Sequence, residues 1–279
     1  MSVVTGDRLS LNTATVREQW NLRECVDGCV RHGIGGIAPW RDKLHEAGVE
    51  EGARMIKDAG LTVTGLCRGG WYTAEGALTD AVIGDNKRAV DEAVTLGAAC
   101  LVMVVGGLSD GSKDLRNARR LVEVGLGKTL EYARDVGMPI AIEPLHPMYA
   151  GDRACVNTME QALDICDALD PGKTGAMGVA LDVYHVWWDP KLSAQIKRAG
   201  KERLLAFHIC DWLIPTTDLL LDRGMMGDGV IDIPGIRTEV EKVGFTGLHE
   251  VEIFSTNNWW KRDGNEVLAT MVNRGEAAC

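Results

Sequence analysis

The sequence predicts a (β/α)₈ barrel, or TIM barrel, formed by a single domain over residues 1–279. Short apolar runs alternate with longer amphipathic segments about eight times along the chain. Several amphipathic segments end on a glycine directly before the next apolar run, which is where helices commonly stop. The length of 279 residues also fits, because such barrels contain about 250 residues.

The predicted strands are the apolar runs, and the predicted helices fill the intervals. In chain order the runs are residues 9–13, 35–40, 61–67, 100–105, 139–145, 179–184, 204–209 and 248–254. Helical periodicity is clear in segments such as EEGARMIKDAG and DNKRAVDEAVTLG. A doubly wound sheet is the alternative, but no GxGxxG motif follows the first run to form a dinucleotide site. We therefore expect one barrel domain and no nucleotide cofactor.

The charge balance and the cysteines restrict the classes of partner. The chain has 40 acidic and 30 basic residues, a formal net charge of −10 and no basic run, which disfavours nucleic acid and anionic lipid surfaces. No apolar stretch reaches the ~18 residues of a membrane span, and the N-terminal segment lacks the apolar core of a signal peptide. Eight scattered cysteines without a CxxC pair predict free thiols. We therefore expect a cytoplasmic protein that binds neither nucleic acid nor a membrane.

Four predicted strands in the second half of the chain each end in a strong metal ligand. Glu143 lies in IAIEPLHP, Asp182 in VALDVYHVWWDP, His208 in LLAFHICDW and Glu252 in LHEVEIFS. The carboxyl ends of the strands of a TIM barrel meet at one face, where its active sites are built. Three carboxylates and one imidazole suit a divalent cation such as Mn²⁺, with Mg²⁺ or Co²⁺ as alternatives. The sequence therefore predicts a catalytic metal at the mouth of the barrel.

The two-residue period of a strand supports three of these ligands and leaves the fourth open. Small residues that leave room for an ion, Ala141, Ala180 and Ala206, lie two positions before Glu143, Asp182 and His208. In the last run Glu250 and Glu252 point the same way, so the period does not choose between them. Its position nearer the carboxyl end of the strand favours Glu252.

Tryptophans are concentrated at the carboxyl ends of the predicted strands. Those at or just after a strand end are Trp40, Trp71, Trp187, Trp188, Trp212, Trp259 and Trp260, whereas Trp20 belongs to a predicted helix. A rim of indoles can stack on the C–H faces of a sugar or on a flat aromatic ligand, although packing of the loops is the alternative. We predict that Trp40, Trp71 and Trp187 contact a substrate.

The longest irregular stretch is the segment 211–231, DWLIPTTDLLLDRGMMGDGVI, which we expect to lie over the barrel mouth as a lid. Three arginines, Arg68, Arg153 and Arg223, could bind a substrate phosphate, but no phosphate-cradling glycine loop accompanies them. We therefore expect a neutral substrate, with Arg223 among the side chains that contact it.

The motifs LDVYH, GDGVIDIPGI and GFTGLHEVEIF resemble those of the xylose isomerase-like TIM-barrel superfamily, which includes ketose 3-epimerases. The resemblance extends over essentially the whole chain and is most specific from residue 139 onward. It implies that Glu143, Asp182, His208 and Glu252 bind Mn²⁺ or a similar ion. It further implies that Glu143 and Glu252 act as bases on opposite sides of the substrate, and that His185 contacts substrate oxygens.

One motif departs from most of these relatives, because EPLH stands where they have EPLN and places His146 near the predicted metal. An imidazole can transfer a proton near neutral pH, which an amide cannot, although a hydrogen-bonding histidine before Pro147 is the alternative. EPLHP, LCRGG and the DRGMMGDG loop most resemble the metal-binding subunit of bacterial C-glycoside deglycosidases, which cleave the carbon–carbon bond of a 3-oxo C-glycoside. This resemblance implies a smaller β-sandwich partner subunit and His146 as the catalytic base.

The two functional hypotheses share one chemical step. A divalent cation polarises a sugar carbonyl and a neighbouring hydroxyl, so that a base can remove the adjacent C–H proton. Expulsion of a β-substituent gives the carbon–carbon lyase, which is the leading prediction, and return of the proton gives the isomerase or epimerase, which is the alternative. An endonuclease IV-type site is disfavoured, because three zinc ions need more ligands than an acidic chain with six histidines provides. A non-catalytic scaffold would leave the four ligands without a purpose. We expect an oligomer that acts on a small sugar or glycoside.

Overall fold

A computed structural model of the chain describes residues 3–73 and 80–279. In these residues a parallel β-barrel is surrounded by helices. The strands are β1 Leu9–Asn12, β2 Gly36–Ala38, β3 Thr62–Val63, β4 Leu66–Gly70, β5 Leu101–Val104, β6 Ile140–Ile142, β7 Met177–Asp182, β8 Leu204–Ile209, β9 Asp211–Trp212, β10 Arg223–Gly224 and β11 His249–Val251. The predicted (β/α)₈ barrel is confirmed.

Helices follow the strands on the outside of the barrel. They are α1 Leu22–His32, α2 Arg41–Ala47, α3 Val49–Asp58, α4 Asp80–Leu96, α5 Leu115–Val136, α6 Met159–Leu169, α7 Val183–Val186, α8 Leu192–Arg203, α9 Ile233–Lys242 and α10 Gly264–Ala278. Short 3₁₀ helices cover Gly6–Arg8, Thr13–Val16, Pro147–Tyr149 and Trp259–Lys261. Among the described helices, none combines the length and the apolar character that a membrane crossing requires.

The sheet closes because β3 and β4 together occupy one position in the barrel. The strand order is β3-β2-β1-β11-β8-β7-β6-β5-β4, so β3 and β4 stand at its two ends. They follow each other directly along the chain, and the N–H of Cys67 donates to the carbonyl of Pro39 while that of Leu66 donates to Cys100. The barrel therefore has eight positions, which correspond to the eight predicted runs.

Register places the polar residues of neighbouring strands in layers. Asp182 of β7 lies opposite His208 of β8, and Glu250 of β11 lies opposite the same histidine. Glu250 also lies opposite Ser10 of β1. Because side chains alternate across a strand, these paired residues all point into the barrel.

The barrel contains a small apolar plug beneath these polar layers, separate from the main core between strands and helices. Its buried members are Cys100, Val102, Ala141, Ala180 and Ala206. The three alanines are the small neighbours noted in the sequence, and their size leaves space above them at the carboxyl ends of the strands. Most of the remaining apolar residues pack in the outer layer, against the inner faces of the helices.

Helix ends follow the signals in the sequence. Asn21 and Glu24 form a capping box at the start of α1, and Gly33 ends that helix with a φ of +66°. Asp114 caps α5, which ends at Gly137 with a φ of +72°. These capping residues explain why the glycines in the sequence predicted the ends of the helices correctly.

Candidate metal centre

Four buried side chains meet at the carboxyl ends of four neighbouring strands. They are Glu143 directly after β6, Asp182 at the end of β7, His208 in β8 and Glu252 directly after β11. Each offers a ligand atom, and these atoms all lie within 4.8 Å of one another. The structure thus brings together the four residues that the sequence predicted as ligands, and we call them the four-residue cluster.

The imidazole of His208 has a different carboxylate on each side. Its Nδ1 lies 3.0 Å from Oε1 of Glu143, and its Nε2 lies 3.5 Å from Oε1 of Glu250. Within the described residues, both ring nitrogens and Oε1 of Glu143 are buried without a hydrogen bond of ordinary geometry. Buried polar atoms are rarely left unpaired, so these atoms fit a divalent cation bound at the Nδ1 side.

Glu250 lies one layer deeper than the cluster. Its Oε1 accepts a hydrogen bond of 2.7 Å from Asn12 Nδ2, and its Oε2 accepts one of 2.8 Å from the Thr64 hydroxyl. Glu252 shares the same Asn12 donor at 3.0 Å but reaches the cluster. The ambiguity left by the strand period is thereby resolved in geometric terms, with Glu252 in the cluster and Glu250 behind His208.

Arg223 of β10 inserts its guanidinium beside the cluster. Its Nη1 lies 2.9 Å from Oδ2 of Asp182 and 3.2 Å from Oε2 of Glu252. Its Nη2 lies 3.2 Å from Nε2 of His185. The guanidinium also stacks on the ring of Tyr184, 4.4 Å from the centroid. Arg223 therefore neutralises part of the acidic cluster and holds His185 in the same site.

Burial and neighbouring charges set the ionisation of the metal-free site. Burial raises the pKa of Glu252 to about 8, against the opposing charge of Arg223. Burial would also raise the pKa of Asp182, but Arg223 and His185 outweigh it and hold that pKa below its ordinary value. Glu252 can thus hold a proton near neutral pH, whereas Asp182 stays ionised.

The pKa values of the two site histidines are shifted in opposite directions. Burial would lower the pKa of His208, but the charges of Glu250 and Glu143 outweigh it and raise that pKa well above its ordinary value. Burial lowers the pKa of His185 to about 3, so His185 is neutral at physiological pH. A neutral imidazole can both donate and accept a hydrogen bond, which suits His185 to bind a hydroxyl or carbonyl oxygen.

A cavity of about 280 Å³ opens above the cluster. Its walls include Trp40, Arg68, Tyr149, Arg153, His185, Arg223 and Trp260, and its floor includes Glu143 and Glu252. A second cavity of about 610 Å³ adjoins it, shares Arg17, Trp40, Cys67 and Arg68 with it, and is also lined by Trp71. The buried charged groups therefore face a space of the size of a small metabolite.

The segment 211–231 covers this cavity and is held in place by hydrogen bonds. The buried carboxylate of Asp211 accepts hydrogen bonds from the backbone N–H groups of Gly227, Gly229 and Ile231, at 2.9 to 3.0 Å. The hydroxyls of Tyr184 and Tyr149 both donate to the carbonyl of Leu219, that of Tyr184 at 3.0 Å. The segment thus supplies Arg223, Leu220 and Leu221 to the site as a firmly attached cover.

Residues 26–271 match the xylose isomerase-like TIM barrel family. This chain belongs to that family. An inosose isomerase of Bacillus velezensis is 27% identical over 97% of this chain and 96% of its own length. A protein of Sinorhizobium meliloti with a crystal structure is 58% identical, with a TM-score of 0.93 over 97% of this chain and 98% of that chain. The IolI protein, solved with a bound zinc atom, is 21% identical, with a TM-score of 0.81 over 97% of this chain and 99% of that chain.

This family membership confirms the predicted superfamily. It does not confirm the finer assignments that the sequence suggested within it. The isomerase or epimerase alternative matches these relatives better than the leading prediction of a carbon–carbon lyase. The resemblance to C-glycoside deglycosidases gains no support from them. Manganese, the metal expected first, gains none either, since the metal named for a related fold is zinc.

Not all of the predicted substrate contacts lie in this family member's cavity. Trp40 and Arg223 line the cavity above the cluster, as does His185, whereas Trp71 lines only the adjoining one. Trp187 lies outside both linings and packs against Trp212, with ring centroids 5.8 Å apart. Its indole therefore belongs to the packing of a loop, which was the alternative considered for the tryptophans.

His146 also lies outside the lining of the cavity. Its ring stacks on Trp212 at 5.1 Å and meets the edge of Trp188 at 5.5 Å. Its Nδ1 accepts a hydrogen bond of 3.3 Å from the N–H of Met148, at the start of the 3₁₀ helix Pro147–Tyr149. This placement corresponds to the structural role that was the alternative to catalysis.

Sequence reasoning missed Asn12 and Tyr149. Asn12 ends β1, donates to both Glu250 and Glu252, and accepts a hydrogen bond of 2.9 Å from Nε1 of Trp40. It therefore ties the cavity wall to the acidic floor. An inward-pointing amide at the end of the first predicted strand was the available signal. Tyr149 lies in a loop, where no strand period indicates the direction of a side chain.

Proposed function

We propose that this chain is a divalent-metal-dependent isomerase of a small polyhydroxylated ketone, for which an inosose is the first compound to test. The observation that carries the proposal is the four-residue cluster at the base of a cavity that is lined by its members Glu143 and Glu252 and by Arg223 and His185. The similarity to an inosose isomerase over 97% of the chain supports the substrate class.

The residues of the cluster would hold the cation, and the remaining groups would bind and deprotonate the ketone. When bound, a divalent cation polarises a carbonyl oxygen and a neighbouring hydroxyl, which makes the adjacent C–H acidic. Glu143, Asp182, His208 and Glu252 supply the donor atoms. Arg223 and the neutral His185 are placed to donate hydrogen bonds to substrate oxygens, because both line the cavity next to the cluster.

Glu252 is the proposed base. It takes the proton from the carbon that bears the hydroxyl and returns it to the former carbonyl carbon, while the hydroxyl proton moves to the former carbonyl oxygen. The substrate is therefore isomerised without gain or loss of atoms. Return of the proton to the opposite face of the same carbon would give epimerisation, for which Glu143 is the second carboxylate on the cavity floor.

The cavity directly above the cluster suits a small ketone, and a bulkier glycoside would have to extend into the adjoining cavity of about 610 Å³. Drug-sized ligands occupy pockets of roughly 300–1,000 Å³. The cavity of about 280 Å³ lies below that range and is closed on one side by the segment 211–231. In addition, His146, the base expected for the lyase, does not line it.

The test is turnover of an inosose in D₂O, followed by NMR, with protein loaded with Zn²⁺ or Mn²⁺. We expect a new ketone isomer that carries solvent deuterium, loss of the reaction on chelation, and loss of both metal and turnover in Asp182→Asn. Glu123→Gln, which changes an exposed carboxylate on α5, is the matched control. Release of an aglycone from a 3-oxo C-glycoside, with no deuterium exchange into any ketone, would contradict the proposal and favour the lyase.

A further inference from the structure

Two arginines in the cavity wall have no acidic partner among the residues that the structure describes. Neither Arg68 nor Arg153 makes an ion pair or a side-chain hydrogen bond with any residue in 3–73 or 80–279. Both line the cavity above the four-residue cluster. By contrast, Arg17 pairs with Asp42, and Arg223 pairs with Asp182 and Glu252. A half-buried cation without a counter-charge is costly, so this pair points to a ligand.

Aromatic rings hold the guanidinium of Arg68 in position. It lies 4.5 Å from the ring centroid of Trp71 and 5.8 Å from that of Trp40. Stacking of this kind fixes the plane of a guanidinium while its N–H groups stay available for a ligand. Arg153 is held in a similar way, 5.7 Å from the ring centroid of Tyr149.

Among the described residues, the charges that line the cavity do not balance without an anion. A divalent cation and Arg223 together carry the three positive charges that match Glu143, Asp182 and Glu252. Glu250 adds one negative charge in the deeper layer, so Arg68 and Arg153 leave the metal-loaded site with an excess of positive charge. Burial, together with the charge of Arg153, lowers the pKa of Arg68, which agrees with two cations facing the same space.

We propose that Arg68 and Arg153 form an anion subsite, so that the natural substrate is an acidic polyhydroxylated ketone that carries a carboxylate or a phosphate ester. The charged end binds the two arginines while the ketone end faces the four-residue cluster. For the ketone end this inference rests on the proposed isomerase function. It replaces the neutral substrate expected from the sequence, because the acidic partners that would neutralise these arginines are absent from the described residues.

The subsite is tested by binding, without turnover. Metal-loaded protein is titrated by calorimetry with inorganic phosphate and with acetate, and the metal content of every variant is measured. We expect the Kd for the preferred anion to rise at least tenfold in Arg68→Gln and also in Arg153→Gln. Arg116→Gln, which removes the same charge from an exposed position on α5, is the matched control and should bind as the parent does.

Each outcome of this titration decides the question. Tighter binding of phosphate identifies a phosphate ester, and tighter binding of acetate identifies a carboxylate. Equal binding by all four proteins would place the anion on the metal or elsewhere and overturn the proposal, as would absence of binding by the parent protein. Because Arg153 makes no side-chain hydrogen bond in the described residues, Arg153→Gln should fold even if Arg68→Gln does not. Failure of the inosose assay would leave this result untouched, so the two proposals fail separately.

Discussion

Oε1 of Glu250 lies 3.5 Å from Nε2 of His208, on the side of the ring opposite the four-residue cluster. The negative charge of this carboxylate favours a proton on Nε2, while Nδ1 lies 3.0 Å from Oε1 of Glu143, on the side of the cluster. Glu250 is itself fixed by Asn12 and Thr64. An outer carboxylate of this kind orients a histidine ligand and increases its basicity.

Loss of the Glu250 charge should therefore weaken metal binding without removing a ligand. In Glu250→Gln we expect the Kd for Zn²⁺ to rise by about 10–100-fold, as is usual for the partners of a ligating histidine. The measurement is competition with a chromophoric chelator at fixed pH. Glu123→Gln is the control, and an unchanged Kd in Glu250→Gln would show that His208 needs no such support.

A buried ion pair away from the four-residue cluster should make the free energy of unfolding depend on pH. Asp170 and Arg203 are each only 1% exposed, and their Oδ2 and Nη1 atoms lie 2.7 Å apart. Burial would raise the pKa of Asp170, but hydrogen bonds from Thr174 and Arg203 outweigh it and lower that pKa. Since an unfolded aspartate has a pKa of about 3.9, the stabilisation is complete above that pH and is lost as the pH falls through the folded value.

We expect Asp170→Asn to lower the free energy of unfolding by about 3–5 kcal/mol at pH 7, because the buried Arg203 loses its buried counter-charge and keeps only the partly exposed Asp167, at 3.5 Å. Denaturant titrations at a series of pH values should show the difference between the two proteins shrinking toward pH 3. Asp27→Asn, at an exposed position on α1, is the control. A difference that stays constant with pH would mean that the carboxylate charge is not the cause.

Two glycines on α5 should respond oppositely to the same substitution. A Cβ on Gly125 would lie 2.2 Å from Cδ1 of Tyr72, whose hydroxyl is held by Thr129 at 2.7 Å. On Gly127 the nearest atom would be Cδ2 of Leu169 at 3.7 Å, an ordinary contact. We expect Gly125→Ala to destabilise the protein by about 1–3 kcal/mol. Gly127→Ala should stabilise it by up to about 1 kcal/mol through helix propensity. Equal shifts in the denaturation midpoint would contradict the packing argument.

His146 and Glu252 should differ as proton-transfer groups. Loss of a general base costs about 10²–10⁴-fold in turnover, which we expect for Glu252→Gln in the inosose assay. His146→Asn should keep turnover within about threefold of the parent, because the ring packs against Trp212 and Trp188 outside the cavity lining rather than against a substrate. Burial lowers the pKa of His146, so the ring is neutral at pH 7 in any case. Comparable losses of turnover in Glu252→Gln and His146→Asn would show that His146 takes part in the reaction.

The sequence predicted the grouping of side chains that depends on strand position, and it did not indicate the contacts that depend on how the loops fold. The four-residue cluster was predictable because strand period and strand end fix the direction of Glu143, Asp182 and His208 in any barrel. Trp187 and His146 lie in loops after strands, where no strand period determines the direction of a side chain. Both side chains pack against Trp212. The ion pair between Arg223 and Asp182 could not be predicted from the sequence, because it depends on how the segment 211–231 folds back over the site.

That Arg68 and Arg153 lack an acidic partner within 3–73 and 80–279 could not be predicted from the sequence either. Acidic residues are plentiful in this chain, at 40 against 30 basic ones, so a partner for each arginine was the natural expectation. Only the three-dimensional arrangement shows which arginines reach a carboxylate and which face the cavity.

The hydrogen bonds from Asn12 to Glu250 and Glu252 join residues that are 238 and 240 positions apart. β1 and β11 pair along the same seam, so the barrel closes between its first and its last strand in chain order. A nascent chain that has already exposed Asp182 and His208 still lacks Glu252 and the strand that carries Glu250. The four-residue cluster can therefore form only after β11 has been synthesised and has paired with β1.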